Sequence, residues 1–107
     1  MVNPLNIEEI QVLFAGSAVV LTQHFLEKIR KRSIALSDVR SAVESGTIVE
    51  FYPEDYPHPS ALILGYAKNL PLHIVVGIGG GFAWLITSYR PDADKWEDDY
   101  KTRKEIT

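Results

Sequence analysis

Cysteine is absent from the 107 residues, which excludes disulfides, thiolate catalysis and cysteine-based zinc sites and suits a reducing compartment. Long apolar runs are missing too. The longest, Leu13 to Leu21, falls far short of the ~20 residues needed to cross a bilayer. Glu8 and Glu9 precede it where a signal peptide would be basic. The expectation is a soluble, cytoplasmic protein with no membrane partner. There is no G-x-S-x-G stretch, so a serine nucleophile elbow is unsupported. The run Gly77 to Gly81, "GIGGG", lacks Gly-Lys-Ser/Thr and a following helix start, so it reads as a glycine hairpin and not as a phosphate loop. The three histidines show no H-x-x-x-H spacing and sit on different predicted elements. Neither a metal nor a cofactor is expected.

What is present suits one compact domain, 1–107. Hydrophobic residues make up 46% and charged residues 23%, enough apolar surface for a core and no sign of global disorder. The net charge of −3 argues against coating nucleic acid by bulk electrostatics. The charge is unevenly placed, however. From His24 to Arg32 four cations face one anion, while Asp92 to Asp99 holds five acids and one lysine. A local basic patch can therefore still meet an anion, and 92–107 forms an acidic C-terminal segment.

Residues 6–15 place Ile7, Ile10 and Phe14 at helical spacing behind Asn6, a natural N-cap. Gly16 and Ser17 end that helix. Ala18 to Leu21 reads as a brief extended piece leading to Thr22, which caps a second helix. There Phe25, Leu26 and Ile29 point to one side, and His24, Lys28 and Lys31 to the other. A third helix begins at Ser37 and stops at Gly46. The period then becomes extended in 47–52, 60–67, 72–78 and 82–89, four short runs that imply an antiparallel meander. The predicted fold is α+β, with N-terminal helices packed on a curved four-stranded antiparallel sheet. The proline-rich "PEDYPHP" is a stiff loop. After Pro91 the chain reads as a terminal helix or as an ordered tail held to the sheet by Trp96.

Several residues carry chemistry. His24 near a helix N-terminus is a candidate general base, although a solvated histidine on a basic face is the plainer reading. His73 lies in an apolar strand, where a buried, hydrogen-bonded histidine is the commoner outcome; His58, between two prolines, reads as a loop residue. At the end of the last strand Tyr89 offers a hydroxyl or a stacking ring, and Arg90 a forked donor for phosphate. The plainer reading of that pair is a tyrosine over the core and a solvated arginine.

Together "LTQHFLEKIRKRSI", "SDVRSAVESGTIVEFYPEDYPHPSALILG", "PLHIVVGI" and "LITSYRPDADKWE" resemble the bacterial family called domain of unknown function four-two-five-eight, over roughly residues 20–104. That family is similar to RelE- and BrnT-type toxin-like proteins, often paired with a zinc-finger antitoxin-like partner. The resemblance implies a RelE-like fold and an RNA-cleaving or RNA-binding toxin, and the expected activity is that of a metal-independent endoribonuclease. Its motif maps onto His24, Arg30, Arg32, Tyr52, Asp55, His73, Tyr89 and Arg90. Ser33 departs from it where members often carry glycine, and Gly79 to Gly81 is shorter than many members' hairpins. Under that reading His24 is the base, Tyr89 or His73 the acid, and Arg90 with Arg32 the phosphate clamp, with Lys28, Arg30, Lys31, Tyr52 and Asp55 as further binding residues. The competing expectation is a non-catalytic protein- or RNA-binding module of a toxin-antitoxin-like or phage-related system. A homodimer through strand edges is a further open arrangement.

Overall fold

The computed structural model describes residues 6–105, so the last two residues of the acidic segment 92–107 lie outside the described residues. Three helices, α1 (Ile7–Ala15), α2 (Gln23–Lys31) and α3 (Leu36–Glu44), join five strands: β1 (Val19–Val20), β2 (Thr47–Tyr52), β3 (Ser60–Ala67), β4 (Leu70–Gly79) and β5 (Phe82–Tyr89). The sheet order is β1-β5-β4-β3-β2. Strands β2 to β5 form the expected antiparallel meander, but the sheet is five-stranded and mixed. The extended piece before α2 pairs parallel with the far edge of β5, Val19 with Ala83 and Val20 with Trp84. Two residues are too few to show alternation, so only the tertiary partner makes β1 a strand. Two-residue turns with positive φ at Lys68 and Asn69, and at Gly80 and Gly81, match the twist of the strands they join and lengthen β4 to both ends. Among the described residues no helix is long and apolar enough to cross a membrane.

The helix ends follow local chemistry. Asn6 Oδ1 accepts from the Glu9 amide at 2.8 Å, and Thr22 Oγ1 from the Phe25 amide at 3.0 Å. Helix α3 starts at Leu36, one residue before the expected Ser37, and its cap residue Ala35 supplies no side-chain bond. Helix α2 ends in a Schellman motif: the Ile34 amide donates to Ile29 O at 2.9 Å and the Ser33 amide to Arg30 O at 3.1 Å. Ser33 holds a φ of 57°, the left-handed conformation that glycine adopts most cheaply. Buried Ile29 and Ile34 flank it as the motif requires.

All three helices cover one face of the sheet. Ile10, Phe14, Phe25, Ile29, Val39, Ala42 and Val43 meet Ile63, Leu72, Ile74, Val76 and Leu85 in a single core. Leu26, expected on the core side of α2, is exposed, because the helix lies along the sheet margin and buries a narrower stripe. Helix α3 seats on β3 where Gly65 has no side chain; a Cβ there would stand 1.8 Å from the Ala42 carbonyl oxygen.

The other face carries no helix. Strand alternation and register put Glu50, Tyr52, Leu64, His73, Val75 and Tyr89 there. The C-terminal segment crosses this face as an ordered tail, with no helix in its described residues. Its anchor is Trp96, 3% exposed, whose ring stands edge-on to His73 at 4.6 Å. A backbone bridge joins Trp96 to Arg103.

Two outcomes follow from these contacts. Ser33→Gly relieves the left-handed strain and raises stability by about 1 kcal/mol, read as a rise of roughly 4 °C in the thermal midpoint; no rise would mean that serine is unstrained there. Trp96→Ala removes the tail's anchor and costs about 3 kcal/mol, measured by urea unfolding, and an unchanged midpoint would show that the tail holds without it.

Candidate functional site

The residues singled out from the sequence divide between two clefts. Helix α2 explains why. It begins beside Trp84, where β1 pairs with β5, and ends with Arg32 donating through Nη1 to Thr87 Oγ1 at 3.1 Å and to Ser88 O at 2.9 Å. The helix therefore runs alongside β5 from one end to the other. His24 and Arg32 stand eight residues apart, about 12 Å at ~1.5 Å per residue. They line different clefts.

At the far end of β5, Arg32, Tyr89, Arg90, Asp92, Lys95, Trp96 and Arg103 line a cleft of 380 Å³. Four cations and one carboxylate border it. Arg103 is already neutralised by Glu50, through Nε at 2.8 Å and Nη2 at 2.9 Å, and lies over the Trp96 ring at 4.6 Å. Asp92 accepts from the Asp94 amide at 2.8 Å. Among the described residues Arg32, Arg90 and Lys95 form no ion pair, in a chain whose net charge is −3. Arg90 is positioned by a long contact from Nη1 to Pro71 O at 3.4 Å.

Tyr89 forms the floor of this cleft, and His73 lies behind it. His73 has no solvent exposure. Its Nε2 lies 2.8 Å from the Tyr100 carbonyl oxygen, which can only accept, so Nε2 carries the proton. Nδ1 is then a lone-pair acceptor, 3.4 Å from the Tyr89 hydroxyl, and the rings meet edge-on at 5.3 Å. Burial holds His73 below its ordinary pKa, partly opposed by the Tyr100 carbonyl. Burial likewise pushes the Tyr89 hydroxyl up. The pair is a neutral phenol donating toward a neutral imidazole.

Next to it, Tyr52 donates to Glu50 at 2.5 Å, and burial followed by that bond pushes Tyr52 up to about 12. The Arg103 guanidinium holds Glu50 below the usual carboxylate range. Tyr52 therefore acts as a buttress of the tail and does not reach the cleft lining. Among the other expected binding residues, Arg30 and Lys31 are exposed and Lys28 half-buried on α2, outside both linings. Asp55 accepts from the Ser60 hydroxyl and borders the second cleft, with His24.

That second cleft, 310 Å³, lies between the start of α2, the proline-rich loop and the first half of β5, lined by Thr22, His24, Tyr56, His58, Trp84 and Ile86 among others. His58 is no bare loop residue: its ring lies 5.3 Å from that of Trp84. The sequence reasoning missed Lys95, Trp96 and Arg103 as neighbours of Tyr89. The one legible signal was a tryptophan within an otherwise charged tail.

The pKa directions set a pH dependence. His73 binds protons less readily folded than unfolded, so its contribution is complete above its ordinary 6.5 and is lost as pH falls below it. Glu50, whose folded value is depressed, contributes above its ordinary 4.5 and loses that contribution as pH falls through the folded value. The thermal midpoint should drop between about pH 7 and 5 in the wild type, while His73→Gln flattens that interval and keeps the loss at lower pH. An equal drop in the variant would assign the titration to another group.

No curated protein and no solved structure matches this chain. Residues 21–90 match the family described as Domain of unknown function (DUF4258). The match takes in α2 and β5, which border both clefts, leaves out β1, and stops just before the tail that covers His73. On that match, over more than half its length, the chain belongs to the DUF4258 family of domains of unknown function.

Proposed function

We propose that the chain is a cytoplasmic, RelE-like toxin that cleaves RNA without a metal ion, with its chemistry at the Arg32, Tyr89 and Arg90 cleft. The observation that carries this reading is that Arg32, Arg90 and Lys95 line one cleft together with Tyr89 in a chain whose net charge is −3. Arg32 and Arg90 are held by backbone carbonyls, which leaves their remaining N–H groups to clamp a phosphate and to stabilise the extra charge of a phosphorane. The ribose 2′-hydroxyl gives its proton to the Tyr89 oxygen as Tyr89 passes its own to His73 Nδ1. The 2′-oxygen bonds to phosphorus, the bond to the 5′-oxygen breaks, and water protonates the departing oxygen, the hydroxide so formed taking back the proton from His73 through the Tyr89 hydroxyl. His73 is a positioning and proton-accepting residue within this relay, since its burial keeps it from substrate. His24 leaves the role of base for a place in the second cleft.

The same burial favours a second reading, a binding module that holds RNA or a protein partner without cutting. A zinc-finger antitoxin-like protein fits either reading, and the free edge of β2 offers it, or a second copy, a strand to pair with.

The test is cleavage of single-stranded RNA in the presence of a chelator. Tyr89→Phe should lower kcat/KM by roughly 10²- to 10³-fold, Arg90→Gln should act mainly through weaker binding and a shallower salt dependence, and His24→Ala should leave kcat unchanged. Full activity in both Tyr89→Phe and Arg90→Gln would sink the assignment. RNA binding with a steep salt dependence but no cleavage, with and without ribosomes, would select the binding module.

A further inference from the structure

We propose that the second cleft is a stacking subsite for an unpaired nucleobase, belonging to the same RNA strand whose phosphate lies at Arg32 and Arg90. The inference rests on the RNA reading above and adds the feature that selects single strands.

Its walls are aromatic and preset. Trp84 donates Nε1–H to Gly79 O at 2.9 Å, which fixes the indole plane, and the His58 ring leans on it at an interplanar angle of 32°. Gly79 makes this possible: a Cβ there would stand 1.9 Å from His58 Nδ1. Across the cleft Tyr56 is 95% exposed, a whole aromatic ring in water on a loop stiffened by Pro53, Pro57 and Pro59. A loop already restricted by prolines adds little backbone ordering cost when a partner stacks on the ring. The volume of 310 Å³ lies at the small end of ligand pockets, ~300–1,000 Å³.

Charge decides which part of a nucleotide enters. No lysine or arginine lines this cleft, and Asp55 does, so a phosphate is disfavoured. An uncharged planar base suits the apolar walls, with His24 and Asp55 placed to meet its polar edge. The cations begin further along α2, at Lys28 and Arg32.

One irregularity in β5 puts the two sites on the same face of the sheet. Val75 pairs with Thr87 and Val76 with Leu85, leaving Ile86 as an extra residue. Trp84 and Tyr89 are an odd number of residues apart and would face opposite sides of a regular strand. The bulge returns both to the helix-free face. Aromatic platforms beside a cationic track are the general means of holding single strands.

The probe is a fluorescein-labelled single-stranded 2′-O-methyl RNA of about ten nucleotides, which lacks the attacking hydroxyl, together with a series carrying one abasic residue at each position in turn. Binding is read by anisotropy across salt concentrations. Tyr56→Ala should weaken binding to the intact strand about tenfold, within the range for loss of one base stack, with an unchanged salt slope and thermal midpoint; Trp84→Leu should do the same to the affinity. One abasic position should cost wild type an equal factor and cost Tyr56→Ala nothing further. Wild-type binding with a steep salt slope, but unchanged affinity in both variants, would overturn the subsite and leave the RNA reading standing. No binding to any of these strands at low salt would overturn both.

Discussion

His73 is fully buried on the face of the sheet that carries no helix, and that face leaves water only if the ring is covered and both its nitrogens are satisfied. The tail supplies the cover and the partner of one nitrogen, and the Tyr89 hydroxyl of β5 faces the other. Trp96 covers the ring edge-on, and the Tyr100 carbonyl accepts the Nε2 proton. Arg103 then completes the cover, paired with Glu50 and lying over Trp96. Each contact constrains the next: the carbonyl fixes the tautomer, the tautomer leaves Nδ1 open, and the open nitrogen faces the Tyr89 hydroxyl. A packing requirement thus sets the protonation state of the proposed relay.

The same tail alters the electrostatics of the molecule. By sequence, the basic stretch around α2 and the acidic stretch after Pro91 look like separate poles. In the fold they meet at one cleft, where Asp92 is turned into its own Asx turn and Lys95 joins Arg32 and Arg90. Exposed acids elsewhere account for the negative total. Net charge is therefore a poor guide to what this cleft binds, because low-dielectric walls and short distances weight the nearest cations most heavily.

The split between His24 and Tyr89 has a simple geometric origin. Both residues sit on elements that run side by side, but at opposite ends of them, because β1 ties the start of α2 to the start of β5. A motif read along the chain merges residues that the helix keeps a full two turns apart. The bulge at Ile86 acts in the opposite sense, since it joins Trp84 and Tyr89 on one face when their spacing alone would part them.

Much was legible in local chemistry. Asn6 and Thr22 announced two helix starts, glycines announced the last hairpin, and alternation in "LHIVV" set His73 and Val75 on one face and Leu72, Ile74 and Val76 on the other. These are short-range effects, governed by caps, turn conformations and the two-residue period of a strand, so the sequence by itself determined them. The residue before Ser37 that opens α3, the parallel pairing of β1, the bulge in β5 and the seating of the tail on His73 depend on partners distant in the chain. Only the tertiary structure decided those. A two-residue strand has no periodicity of its own, and a tail with one tryptophan has no regular pattern, until the surface each packs against exists.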